Sequence, residues 1–141
     1  MDLFHHIDID ADPQAIYAAV ATQRGLRAWW TADSDCDEKV GGKAEFGFGG
    51  RAMVFRMNIV AMEPGKRVVW ECIGDQSEWE GTRLEWQVGE GLQTTNGLWL
   101  RHTGWKDNTL FSASCNSTWG DLMFNLKDYV EGKATSPKWA E

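Results

Sequence analysis

No apolar run in this chain of 141 residues approaches the ~18 residues that a membrane-spanning helix requires. The opening MDLFHHIDID has neither a basic start nor a long apolar stretch, so no secretory signal is expected. Clusters of Lys or Arg are missing. With 21 acidic and 14 basic residues the net charge is −7 and the pI is near 4.9. Such a surface repels phosphate backbones and anionic lipid, which excludes nucleic acid and acidic membranes as natural partners. Cysteine is scarce: Cys36, Cys72 and Cys115 are odd in number and far apart, with no C-x-x-C. That fits reduced thiols and a cytoplasmic location rather than a disulfide framework. No positive charge sits near them to lower a thiol pKa, so none is expected as a nucleophile.

Catalytic signatures are equally scarce. G-x-S-x-G, the Walker motif and G-x-G-x-x-G do not occur, and GFGG at 47–50 reads as a turn because no helix follows it. The three histidines, His5, His6 and His102, form no H-x-x-x-H and no His/Cys cluster, so neither a metal nor another cofactor is expected. The DSDCDE stretch has Asp33, Asp35 and Asp37 in alternation, as in a calcium loop. It has Glu38 where that loop needs Gly and Ala44 where it needs Glu, so it reads as a solvated acidic edge.

What is abundant is tryptophan, nine residues in all. Bulky indoles in this number fit thick core packing or a concave aromatic-lined site. Trp29 and Trp30 are adjacent. Neighbours on a helix point about 100° apart and on a strand to opposite faces. Either one ring anchors the segment while the other faces an opening, or both pack across the wide arc of a helix end.

Alternation over residues 3–9 predicts a strand, with Leu3, His5, Ile7 and Ile9 on one side. Asp12 is a candidate N-cap, with Pro13 at the first helical position. Ile16, Tyr17 and Val20 follow at helical spacing. Gly25 interrupts, and a second short helix over 23–30 carries Leu26, Trp29 and Trp30. Short segments closed by glycines then predict about six antiparallel strands in a meander. Near the end, Cys115, Trp119, Leu122, Met123, Leu126 and Val130 form one stripe of a long helix that Gly132 can stop. Phe124 and Tyr129 lie off that stripe and are read as edge packing, the alternative being an exposed aromatic patch that meets a partner or a second copy. Gly120 costs that helix about 1 kcal/mol relative to Ala, which a close backbone contact would explain. The fold class is α+β, a single domain over residues 1–132 followed by a loosely ordered tail, 133–141.

The ordered pieces ADPQAIYAAVATQRGLRAWW, VGGKAEFGF, AMEPGKRVVWEC, WEGTRLEWQV, LWLRHTGW and WGDLMFNLKDYVEG resemble the START-like (SRPBCC) superfamily. Within it they resemble the family of activators of heat shock protein 90 ATPase. The resemblance implies a helix-grip fold: a curved antiparallel sheet of six to seven strands around a long C-terminal helix, with two short helices after the first strand. It implies binding of a hydrophobic small molecule or association with a chaperone, and for some members cyclase chemistry.

A curved sheet and one helix leave a gap, and inward alternation nominates its lining: Trp30, Phe46, Phe55, Met57, Trp70, Leu84, Trp86, Leu100, Trp119, Met123 and Leu126, with Tyr17 and His102 as polar groups. An inward His102 beside a carboxylate would permit proton transfer. Glu71 and Glu85, however, alternate with Trp70, Cys72, Leu84 and Trp86 and so point outward. The expected function is therefore a non-catalytic binding domain for a small hydrophobic or aromatic ligand. A chaperone-associated interaction module and a small cyclase or hydrolase are the alternatives. The expected assembly is a monomer or homodimer.

Overall fold

The computed structural model describes residues 1–74 and 77–141. Its elements follow the order β1 (Leu3–Asp8), α1 (Pro13–Ala21), α2 (Gln23–Trp29), β2 (Ser34–Cys36), β3 (Lys43–Phe48), β4 (Met53–Glu63), β5 (Arg67–Ile73), β6 (Arg83–Glu90), β7 (Asn96–Thr103) and α3 (Leu110–Val130). The strands form one seven-stranded sheet in the order β1-β7-β6-β5-β4-β3-β2, antiparallel throughout. Each hairpin in the run from β2 to β7 joins neighbours, and β1 closes against β7. A register shift between Ile59 and Ala61 in β4 supplies local bending.

The helices start where local chemistry allows. The Asp12 carboxylate accepts the Ala15 N–H at 2.8 Å, with Pro13 in the first turn. Thr22 rather than Gly25 makes the break between the first two helices. Its backbone N–H closes α1 on the Ala18 carbonyl, and its hydroxyl oxygen accepts the Gly25 N–H at 3.0 Å to open α2. Gly25 has a different reason to be small: a Cβ there would lie 2.6 Å from the Ala18 carbonyl oxygen, so only glycine lets α2 approach α1 this closely. α3 opens on a reciprocal cap between Thr109 and Ser112 and ends before Gly132, which has a φ of 84°. Gly120 is not a point of backbone contact. A Cβ there would meet only the His5 ring, at 3.7 Å.

α1 crosses β5, β6 and β7, while α3 lies along β1 and against α1 and α2. The core between them holds both members of the tryptophan pair, 0% and 1% exposed. Trp30 leaves the helix at its C-cap, so the two rings stack at 5.8 Å and 11° instead of diverging. Tyr129 packs against the core as expected, whereas Phe124 is 65% exposed. The acidic row is used locally on the short edge strand β2 and its flanks. Asp33 pairs with Arg51, Asp35 with Arg27, and Asp37 accepts the Lys43 N–H.

The last segment is docked rather than loose. The Trp139 N–H donates to the Trp30 carbonyl at 3.1 Å, the Ala32 N–H to the Trp139 carbonyl at 2.9 Å, and the Gly49 N–H to the Glu141 carbonyl at 3.1 Å. Trp139 also stands edge-on to Phe48. Composition alone concealed this, because the polar residues around Trp139 hide a single bulky anchor.

Candidate functional site: an aromatic cavity beside a neutral histidine

The hollow part of the molecule lies toward the N-terminal half of α3. On that half the inward side chains are small: Ser114, Cys115 and Thr118. They do not reach the β3–β4 hairpin opposite, and a part-open cavity of about 360 Å³ remains. Phe111, Trp119 and Leu122 border it from α3. Phe48, Gly49, Met53 and Phe55 come from the hairpin, Trp30 from the end of α2, Trp79 from the β5–β6 loop, and Trp139 from the last segment. The volume falls within the range of small-molecule sites, and seven of these thirteen residues are aromatic. Among the described residues none of the lining is a Lys, Arg, Asp, Glu or His, so these residues offer a charged guest no counter-charge.

The rings hold one another. Trp79 stacks on Phe55 at 3.9 Å and 6°, and on Trp119 at 5.7 Å and 25°. Trp30 meets Trp119 at 5.3 Å and Phe48 at 5.8 Å. The Trp79 indole N–H lies beside the Cys115 sulfur without hydrogen bonding to it, and finds no other acceptor among the described residues. Burial pushes the Cys115 thiol above its ordinary pKa, with the Trp79 N–H pulling the other way. This is the opposite of an activated nucleophile.

His102 is fully buried behind this wall rather than in it. The Trp119 indole N–H donates to Nδ1 at 3.2 Å. Nε2 therefore carries the proton and donates it to Thr82 Oγ1 at 2.8 Å, and the Thr82 hydroxyl donates to the Trp79 carbonyl at 2.6 Å. Each group in this chain is satisfied with a neutral imidazole. Removal from water lowers the His102 pKa from 6.5 to about 3. Glu71 and Glu85 face outward, toward Arg83 at 3.5 Å and Arg67 at 2.8 Å. No carboxylate hydrogen-bonds to His102, so the pair needed for proton transfer is not assembled among the described residues. Nor do those residues contain a group of three or more His, Cys, Asp or Glu able to hold a metal. No described helix is long and apolar enough to cross a membrane.

Of the thirteen residues nominated from sequence, the structure brings three to the cavity: Trp30, Phe55 and Trp119. Phe46, Met57, Trp70, Leu84, Trp86, Leu100, Met123 and Leu126 point inward as alternation requires, but they are buried in solid core. α1 lies across β5–β7 and occupies the space in front of Trp70, Leu84, Trp86 and Leu100, while the Trp30 ring covers Phe46 at 4.4 Å. His102 is held in its own hydrogen-bond chain. Tyr17 is half-buried at the edge of the core, where desolvation first and Glu63 second raise its pKa. The residues missed are Phe48, Gly49, Met53, Trp79, Phe111, Ser114, Cys115, Thr118, Leu122 and Trp139. Two carried a readable signal: Trp79 and Trp139 are indoles stranded in polar, turn-rich stretches, and each needs somewhere to bury its ring.

A curved antiparallel sheet gripping one long helix around an apolar cavity is the architecture of START-like proteins. The chain belongs to the family described as activator of Hsp90 ATPase homolog 1-like protein, which matches residues 10–131. Among solved structures it is similar to the Aha1 dimer from Colwellia psychrerythraea, with 30% identity over 94% of this chain and 97% of that one, and a TM-score of 0.83. The AHSA1-like protein from Aeromonas hydrophila shares the fold at 17% identity, over 93% of this chain and 92% of that one, with a TM-score of 0.71. DynU16, from the dynemicin biosynthetic locus, shares it at 19% identity and a TM-score of 0.76, over 98% of this chain and 50% of that one. No curated protein sequence matches the chain.

Proposed function

We propose that this chain is a non-catalytic binding domain whose cavity takes a small, uncharged apolar or aromatic molecule. The observation that carries the reading is the 360 Å³ hollow, walled by rings that pack on one another and, among the described residues, by no charged side chain. Burying apolar surface there contributes roughly 25 cal/mol per Å² before the costs of ordering the guest. The unpaired Trp79 N–H adds a donor that rewards a ligand carrying an acceptor. The neutral, fully bonded His102 speaks against a cyclase or hydrolase role. Titration with the uncharged fluorophore N-phenyl-1-naphthylamine tests this. Saturable enhancement of the probe with quenching of tryptophan emission, together with a raised Tm, is expected. Absence of all three overturns the reading.

A second reading comes from the family and from the Colwellia relative, which was solved as a dimer: a module that acts through its surface on an Hsp90-type chaperone, alone or as a homodimer. Exposed Phe4 and Trp99, on adjacent strands β1 and β7, support a contact face of this kind. Stimulation of a chaperone ATPase by a protein that binds no apolar probe would favour this second reading over the first.

A further inference from the structure

We infer that residues 133–141 are a latch across the cavity mouth, and that an apolar guest enters and leaves by its opening. The inference rests on the binding reading above. Trp139 is the one residue of this segment that borders the cavity. Its backbone joins Trp30 and Ala32 through two hydrogen bonds that form a single isolated bridge, and the Glu141 carbonyl holds the Gly49 N–H of the β3–β4 turn. Its ring stands at 85° to Phe48, 4.9 Å away, on that same hairpin. One segment thus ties the end of α2 to the hairpin, and these are two sides of the mouth.

The latch is weakly held compared with what it covers. None of its side chains is fully buried: Thr135, Pro137 and Trp139 are partly covered and the rest are exposed. Its other ties are Lys133 on Asp128 where the segment leaves α3, the Asn125 amide on the Ser136 carbonyl, and an exposed ion pair, Lys138 to Asp121, at 2.7 Å. A segment with few buried apolar contacts opens locally far more often than the core unfolds. Lys138 and Asp121 lie outside the cavity wall, but the Lys138 ammonium also stands over the Trp139 ring at 5.6 Å, so the pair is best broken from the Asp121 side, which changes the hinge without removing a contact to the wall.

Stopped-flow mixing with N-phenyl-1-naphthylamine tests the latch. Entry and exit share one path, so Asp121→Ala should speed both by the same factor, about two- to fivefold, the worth of an exposed ion pair. The dissociation constant should stay unchanged. Trp139→Ala should speed release by about tenfold or more, since it removes the door itself. Amide exchange at Ala32, Gly49 and Trp139 should be faster than at core strands and should rise together in Asp121→Ala. Unchanged rates in both variants, with the probe still bound, would make Trp139 a fixed wall and overturn the latch. A probe that binds no variant overturns the cavity reading, and the gating role with it. Core-like amide protection at all three positions would then also remove the opening motion.

Discussion

The two halves of α3 face the same sheet and do opposite things. The C-terminal half presents Met123 and Leu126 to a region already floored by α1, and the space is filled. The N-terminal half presents Ser114, Cys115 and Thr118, and a hollow remains. Tryptophan serves both regions: Trp29 and Trp86 plug the filled half, while Trp79 and Trp139 frame the open one. Whether an indole fills or frames is therefore decided by the residues opposite it, not by its own burial.

Truncation should expose the difference first. Trp86→Ala, in the filled half, is expected to cost about 3–5 kcal/mol in urea unfolding, as large buried deletions do. Trp139→Ala, half-buried at the mouth, should cost only about 1–2 kcal/mol. Equal costs would mean that the two halves are not energetically distinct.

Acid should act next, through the histidine between the halves. Its pKa is about 3 folded and 6.5 in the reference state, so between those values the unfolded chain binds the extra proton. Stability is then full well above pH 6.5 and falls as pH drops, by at most about 1.4 kcal/mol per pH unit. In His102→Gln the slope between pH 6.5 and 5 should vanish. A slope that survives assigns it to other groups.

Filling comes third. Cys115→Phe places a ring in the hollow, and probe affinity should fall about tenfold, near 1.4 kcal/mol, with Tm held or raised. Unchanged affinity would place the probe elsewhere. The smallest effect belongs to Gly120→Ala. The added methyl meets only the His5 ring at ordinary contact distance, so the helix should gain up to about 1 kcal/mol. A loss of stability would mean that the His5 side needs the glycine.

The same contrast explains what was legible in the sequence. Alternation, caps and glycine turns are local, so the strand order, the Asp12–Pro13 start and the stripe along α3 could be read directly. Inward alternation also marked Trp86 and Leu100 correctly as buried. It could not tell that α1 lies in front of them, because that depends on how a helix from early in the chain crosses strands made much later. The hollow was written instead as small residues within an apolar stripe, at Ser114, Cys115 and Thr118, and as lone indoles at Trp79 and Trp139. Neither stands out until the tertiary arrangement brings them face to face.

Apolar contact carries no preferred direction, so a helix lying in a greasy trough is free to roll or slide by part of a turn at little cost. The donor on Trp119 meeting the bare nitrogen of His102 removes that freedom. It acts as a keyway, locking both the rotation of α3 and its axial position to the strands beneath. Residues one turn earlier can then be exchanged for bulkier or slimmer ones, reshaping the chamber, while the helix stays where it is.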